Sequence, residues 1–259
     1  LHYTPCKSDD GTFMIERLLF LTIFLTGVKA SAQDFSTYTY KETGNIRLQL
    51  DVFKPAATAA ATQKFPVIIL FHGGGLIHGV RKQMQPECVF FAAHGLVAVT
   101  ADYRLLNDGS MQTADPDVAM CIKDAKSAIR WVRQNAARFN IDTGRVILGG
   151  GSSGGFLATA AALTDDINDV ADDLSVSTKA RLLVLYNPAY IPKARYSPPP
   201  VQYINSRTPP AIFFYGDHDP YKPGGDEFYA ALAKEHIKTA LWVAGGEAHS
   251  FFNKNNWQL

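Results

Sequence analysis

The sequence has few cysteines, no excess of one charge and no long apolar run. Three cysteines in 259 residues are too few for a disulfide framework, and a chain of this length buries a core without one. Lys+Arg (25) and Asp+Glu (24) cancel almost completely. No basic field is therefore present to hold nucleic acid or an anionic membrane face, and no acidic one to hold a cationic partner. The one membrane-like stretch, Leu18 to Val28, has 11 residues, against the roughly 20 that a spanning helix needs. At 47% hydrophobic and 19% charged, the composition excludes disorder and fits one ordinary globular domain. A small neutral molecule is the partner such a balance suits.

Read from Met14, the N-terminal stretch has Arg17, then the apolar run, then Lys29-Ala30-Ser31-Ala32-Gln33 with an A-x-A cleavage pattern. This reads as a secretory signal peptide, the alternative being a buried N-terminal helix. The expected division is a leader over 1–32, with residues 1–13 as an over-extended reading frame, and a single domain over 33–259 that is secreted or periplasmic. Cys6 leaves with the leader. Cys88 and Cys121 sit among apolar residues at helical spacing, which favours buried free thiols over a bridge.

Ile46 to Val52 alternates apolar and polar residues, as a half-exposed strand does. Short apolar runs follow: Val67–Phe71, Leu96–Ala101, Val146–Leu148, Leu182–Tyr186, Ala211–Tyr215 and Leu241–Val243. Runs of this kind form parallel strands covered on both faces. Between them lie helical patterns at Pro86–His94, from Asp115-Pro116 to about Arg138, at Phe156–Leu163 and at Asp226–His236. The alternation predicts one open α/β sheet with helices on both faces.

In such sheets ligands bind beyond the carboxyl ends of the strands. After Val146–Leu148 comes Gly149-Gly150-Gly151-Ser152-Ser153-Gly154-Gly155, a G-x-S-x-G between a strand and a helix that would hold Ser152 as an exposed nucleophile. A phosphate loop would place Lys before its Ser/Thr, and none is present; a plain glycine-rich turn is the other alternative. After Val67–Phe71 comes His72-Gly73-Gly74-Gly75. The N–H groups of Gly73 and Gly74, with that of Ser153, can face a developing oxyanion, while His72 holds the loop rather than moving protons.

A serine hydroxyl needs a base and an orienting carboxylate. His236 falls within a helical pattern and His218 precedes the acid candidates, so His249, in the loop Gly245–Phe251, is the expected base. The acid comes from Gly216-Asp217-His218-Asp219-Pro220. Asp219 is favoured over Asp217 because its longer reach past the strand brings it to the His loop. His2, His78 and His94 are read as surface or packing residues.

On His72–Gly75, Ala101-Asp102-Tyr103-Arg104-Leu105, Gly150–Gly155, Tyr215-Gly216-x-x-Asp219-Pro220 and His249-Ser250-Phe251-Phe252-Asn253, the sequence resembles the α/β-hydrolase esterases of the hormone-sensitive-lipase-like kind. The resemblance is particularly to the compact bacterial acetyl-esterase branch and runs from about Tyr40 to Trp257. The resemblance implies an α/β-hydrolase fold with a mostly parallel sheet and little or no cap, and a triad of Ser152, Asp219 and His249. It also implies oxyanion donors at Gly73, Gly74 and Ser153, a structural pair of Asp102 and Arg104, and no metal or cofactor. The implied reaction is hydrolysis of a small-molecule ester, with short acyl groups such as those of acetylated carbohydrates fitting best. The stretches spare to roof the site are Asp165–Thr178 and Ile191–Pro210.

There are two departures from the family pattern. Ser153 replaces the usual alanine, and the chain stops at Leu259 where a last helix normally follows, which would leave apolar sheet surface exposed. A serine peptidase of the same fold and a non-catalytic binding protein on a hydrolase scaffold are the competing functions.

Overall fold

The computed structural model describes residues 34–55, 64–106, 118–190 and 199–253. The expected leader and the Asp115-Pro116 helix start lie outside them. Within them the apolar runs are strands and the amphipathic runs are helices. The chain order is β1 (Phe35–Thr43), β2 (Ile46–Phe53), β3 (Phe65–Phe71), α1 (Gln85–Ala93), β4 (Val97–Ala101), α2 (Val118–Gln134), β5 (Ile141–Gly151), α3 (Ser153–Leu163), β6 (Leu182–Tyr186), β7 (Ala211–Gly216), α4 (Lys222–Lys234) and β8 (Thr239–Ala244).

The eight strands form one sheet in the order β1-β2-β4-β3-β5-β6-β7-β8. The first two pairings, β1 with β2 and β2 with β4, are antiparallel and the rest are parallel. The central strands carry β-branched and aliphatic side chains that are buried on both faces, as Val67 to Phe71 are. Helices α2, α3 and α4 cover one face through Ile122, Ile129, Phe156, Leu157, Phe228 and Leu232. Helix α1 covers part of the other through Cys88 and Ala92. On that side Ile147, Leu182 and Phe214 are half-buried and Trp242 is 55% exposed. Cys88 and Cys121 are buried and outside any disulfide, and the Cys121 thiol donates to the Arg104 carbonyl.

The parallel register aligns the strand ends. Phe71 pairs with Gly150, Gly151 with Tyr186, and Tyr186 with Phe214. The segments beginning at His72, Ser152, Asn187, Asp217 and Gly245 therefore leave the sheet along one edge, the position where α/β sheets bind ligands.

Asp165–Thr178 does not lie at that edge. Helix α3 starts at the edge and its 11 residues carry the chain about 16 Å away, and the segment then returns to the start of β6, where the Arg181 N–H bonds the Val146 carbonyl. It is tied to β1 and α2 by Lys41 to Asp169 and Arg130 to Asp172. The expectation that this stretch could roof the site is corrected accordingly.

Candidate active site

Ser152 stands between β5 and α3 with φ 54° and ψ −120°, a left-handed backbone that a non-glycine residue adopts only where its surroundings impose it. Its N–H bonds the Tyr186 carbonyl at 2.8 Å, and its carbonyl accepts from Gly155, Phe156 and Ala189. The glycines on either side are a steric requirement. A Cβ at Gly150 would lie 2.4 Å from the Phe71 carbonyl oxygen, and one at Gly154 would lie 2.1 Å from the same atom. This tight strand-to-helix turn is what presents the serine hydroxyl at the sheet edge.

That hydroxyl is 2.8 Å from His249 Nε2, and His249 Nδ1 is 2.9 Å from Asp219 Oδ2. The three sequence-predicted residues, more than 60 positions apart at their ends of the chain in the case of Ser152 and Asp219, thus form one hydrogen-bonded line. Asp219 is buried and His249 is partly exposed. The loops carrying acid and base are stitched together: the His218 N–H bonds the Glu247 carbonyl, the Asp217 N–H bonds the Ala244 carbonyl, and the Gly246 N–H bonds Asp217 Oδ1. Asp217 is therefore a brace for the base loop and does not contact His249. Tyr221 lays its ring edge-on to His249 at 4.7 Å, and its N–H bonds Asp219 Oδ1 at 2.8 Å.

His72 is buried, stacks on Tyr103 at 4.3 Å and sets its Nδ1 2.8 Å from the Gly73 carbonyl oxygen. Tyr103 Oη donates to the His72 carbonyl. Burial lowers the His72 pKa, opposed by its bond to Gly73 and by Asp102, so it is a neutral ring that fixes the loop.

The expected oxyanion donors are brought to the serine unevenly. Gly73 lies against the nucleophile, since a Cβ there would be 3.2 Å from Ser152 Cβ, but its N–H donates to Gln83 Oε1 at 2.6 Å. This corrects its assignment as a donor: a short bond to a side-chain carbonyl already uses that hydrogen. The N–H groups of Gly74 and Ser153 have no partner among the described residues, and neither has that of the adjacent Gly75. The departure at Ser153 also has a structural role, because its buried Oγ accepts from the Leu76 N–H at 3.3 Å and joins the glycine loop to the serine turn.

Asp102 and Arg104 do not pair with each other, contrary to expectation. Asp102 holds Arg81, by Nη1 at 2.6 Å and the backbone N–H at 3.1 Å. Arg104 grips Asp124 through Nε and Nη2 at 2.6 and 2.7 Å. The reason is burial: Asp124 is fully enclosed and requires the two cations it receives, Arg104 and Lys41.

Among the described residues no three His, Cys, Asp or Glu side chains converge as a metal ligand set would. Such a base-activated serine beside unpaired backbone N–H groups is built for nucleophilic attack on a carbonyl carbon. The BD-FAE family model matches residues 50–186.

The chain belongs to the BD-FAE family. That match takes in the glycine loop and Ser152 and ends before the acid and base. Among solved structures, this BD-FAE chain is similar to the thermophilic esterase Est2 of Thermogutta terrifontis, with a TM-score of 0.77 and 32% identity over 86% of this chain and 85% of that one. Its fold is thus that of an α/β-hydrolase esterase of the hormone-sensitive-lipase-like kind. Among curated proteins it is similar to esterase LipQ of Mycobacterium tuberculosis, 27% identical over 79% of this chain and 54% of LipQ. It is also similar to human carboxylesterase 3, 35% identical over 45% of this chain and 20% of that protein. The chain therefore spans about half of LipQ and a fifth of the carboxylesterase.

Three residues of this BD-FAE site carried no signal in the sequence: Gln83, Asn187 and Tyr221. Asn187 follows β6, is buried, and its Nδ2 donates to Asp219 Oδ2. The Asn187-Pro188 pair marks the end of a strand but says nothing of a bond to the acid.

Proposed function

We propose that this protein is a serine carboxylesterase acting on short-chain acyl esters. The observation that carries the reading is the 2.8 Å contact between Ser152 Oγ and His249 Nε2, with Asp219 behind the ring. Ser152 Oγ attacks the ester carbonyl carbon while His249 Nε2 takes its proton. The carbonyl π electrons move onto oxygen, which faces the N–H groups of Gly74 and Ser153, each such donor contributing about 3–4 kcal/mol to the transition state. Collapse expels the alkoxide, which leaves as the alcohol with the proton from His249. Water, deprotonated by the same ring, then attacks the acyl-serine; the Ser152 Oγ–C bond breaks, His249 gives the proton to Oγ, and the acid leaves.

Short acyl groups are supported by the commitment of Asp165–Thr178 to the far end of α3, which takes one of the two spare stretches away from the site edge. A long acyl chain gains about 25 cal/mol per Å² only where apolar surface covers it. Est2 has been captured with propionate and with butyrate bound, acids of the size proposed here. The alcohol side tolerates bulk such as a sugar ring, because the run Gly73–Gly75 bears no side chains. The leader-like sequence over 14–32 supports a secreted or periplasmic location.

The test is a panel of p-nitrophenyl esters from acetate to decanoate, with Ser152→Ala as control. Acetate and butyrate should give the highest kcat/KM, and the control should be inactive. A kcat/KM that climbs steadily to ten carbons would overturn the short-chain reading, and no hydrolysis of any ester would overturn the esterase reading.

A further inference from the structure

Asp219 has to remain ionised while buried, since only a carboxylate stabilises the imidazolium that forms on His249. Among the described residues no lysine or arginine pairs with it. Its partners are His249 Nδ1–H and Asn187 Nδ2–H on Oδ2, and the Tyr221 N–H on Oδ1. Among the described residues Asn187 is thus the one side chain besides the base that donates to the acid. The amide is oriented by this bond, because its oxygen would be repelled by the carboxylate.

Two features make Asn187 an unfavourable choice for packing alone. Its backbone has φ 45°, and its buried Oδ1 has no hydrogen-bond partner among the described residues. Strain and an orphaned acceptor persist where a residue serves the site. The backbone around it is pinned as well: the Asn187 N–H bonds the Phe214 carbonyl, the Ala189 N–H bonds the Ser152 carbonyl, and Tyr215 Oη bonds the Pro188 carbonyl. The amide is therefore held between the strand that ends in the nucleophile turn and the strand that leads to the acid.

We infer that Asn187 is a positioning residue for catalysis: its amide holds Asp219 as a carboxylate aimed at His249, and the unfavourable conformation serves that bond. The inference rests on the esterase reading above. A hydrogen bond to the charged form of a carboxyl group favours ionisation. Loss of the amide makes Asp219 bind protons more tightly and, while ionised, makes it a stronger partner for the His249 proton. Both effects move the acid limb of kcat/KM to higher pH. The other titratable groups facing this acid are few. Tyr221 lies against His249, and Tyr215 in β7 has its pKa raised by burial and then by Tyr190, Asp219 and Asp226. Asp217 and His218 lie together at the exposed side of the loop.

Asn187→Gly tests this without adding strain, since glycine accepts φ 45°. Active sites are titrated with an organophosphate and the pH profile of p-nitrophenyl acetate hydrolysis is measured per titrated site. The expected result is about a tenfold fall in kcat with KM nearly unchanged, and an acid limb about one pH unit higher. Asn187→Asp keeps the side-chain shape and covers the case in which the glycine variant does not fold. It can donate to Asp219 only while one carboxyl keeps its proton, so its activity should fall as pH rises where the wild type does not. A glycine variant with wild-type kcat per site and an unshifted acid limb would overturn the role, as would an aspartate variant with the wild-type profile. A wild-type protein that neither hydrolyses the ester nor takes the label would instead overturn the esterase reading, and this role with it.

Discussion

Replacing Gly151 by alanine places a methyl carbon 2.1 Å from Phe252 Cζ and 2.7 Å from Cε2. Carbon atoms pack best at about 3.5–4.0 Å, so the ring must retreat by roughly 1.5 Å. Phe252 is 3% exposed and lies tilted against Tyr186 with ring centroids 5.4 Å apart, leaving it little room. It also lies in the turn Phe251–Asn253 that begins two residues after His249, so the retreat pulls on the base. Overpacking of this kind costs about 1–3 kcal/mol, or roughly 2–12 °C in Tm for a domain of this size. A shift of about 1 Å in a catalytic group can cost on the order of 100-fold in rate. Phe252→Ala alone should cost about 3–5 kcal/mol through the cavity it leaves. In the double variant the new methyl occupies part of that cavity, so the combined loss should fall short of the sum by about 1 kcal/mol or more. Thermal denaturation and kcat per titrated site on the four proteins of the cycle measure this. Losses that add to within about 0.5 kcal/mol, or a Gly151→Ala protein with wild-type kcat, would refute the coupling between this glycine and the base loop.

Asp219→Asn should lower kcat by about 10⁴-fold, because an amide cannot stabilise the imidazolium and fixes the wrong tautomer. Asp217→Asn should lose at most about tenfold through a loosened Gly246 contact, and steady-state kinetics showing the reverse ranking would move the acid to Asp217. Glu87 is buried, and burial raises its pKa to about 7 despite the bond to its own backbone N–H. The unfolded chain ionises this carboxyl first, so its contribution to stability is complete below about pH 4.5 and declines by roughly 3 kcal/mol as pH rises to about 7. Glu87→Gln should therefore gain Tm over the wild type as pH increases from 5 to 8, and a difference independent of pH would contradict the buried-acid reading.

The sheet was legible because its strands are continuous apolar runs with turn residues behind them, a pattern that needs no partner to be recognised. The triad was legible for the same reason: the acid and base sit in the loops that follow two of those runs. Strand β1 (FSTYTYKET) went unread because it is an edge strand with exposed or half-buried residues and a bulge between Thr39 and Lys41, so it lacks a clean alternation. Helix α4 begins four residues before the predicted Asp226. Its first turn, Lys222-Pro223-Gly224-Gly225, reads as a loop, yet the glycines let it approach the Tyr190 carbonyl and Tyr215, where any Cβ would clash. What sequence could not reach were contacts between distant segments. The Gln83 bond that takes the Gly73 N–H spans 10 positions, the Arg104 grip on Asp124 spans 20, and the Asn187 bond to Asp219 spans 32. None of these has a local pattern, and each is decided by which polar group burial leaves in need of a partner.

The measurement that bears most directly on Ser152 as nucleophile is covalent labelling with an organophosphate, mapped by peptide mass spectrometry. Est2 is known in a form phosphorylated by paraoxon, which makes paraoxon the natural probe. One adduct per chain, located on Ser152, formed in step with the loss of p-nitrophenyl acetate hydrolysis and absent from Ser152→Ala, is the predicted result. An adduct on Ser153 or elsewhere, or a Ser152→Ala protein that still hydrolyses the ester near the wild-type rate, would contradict it.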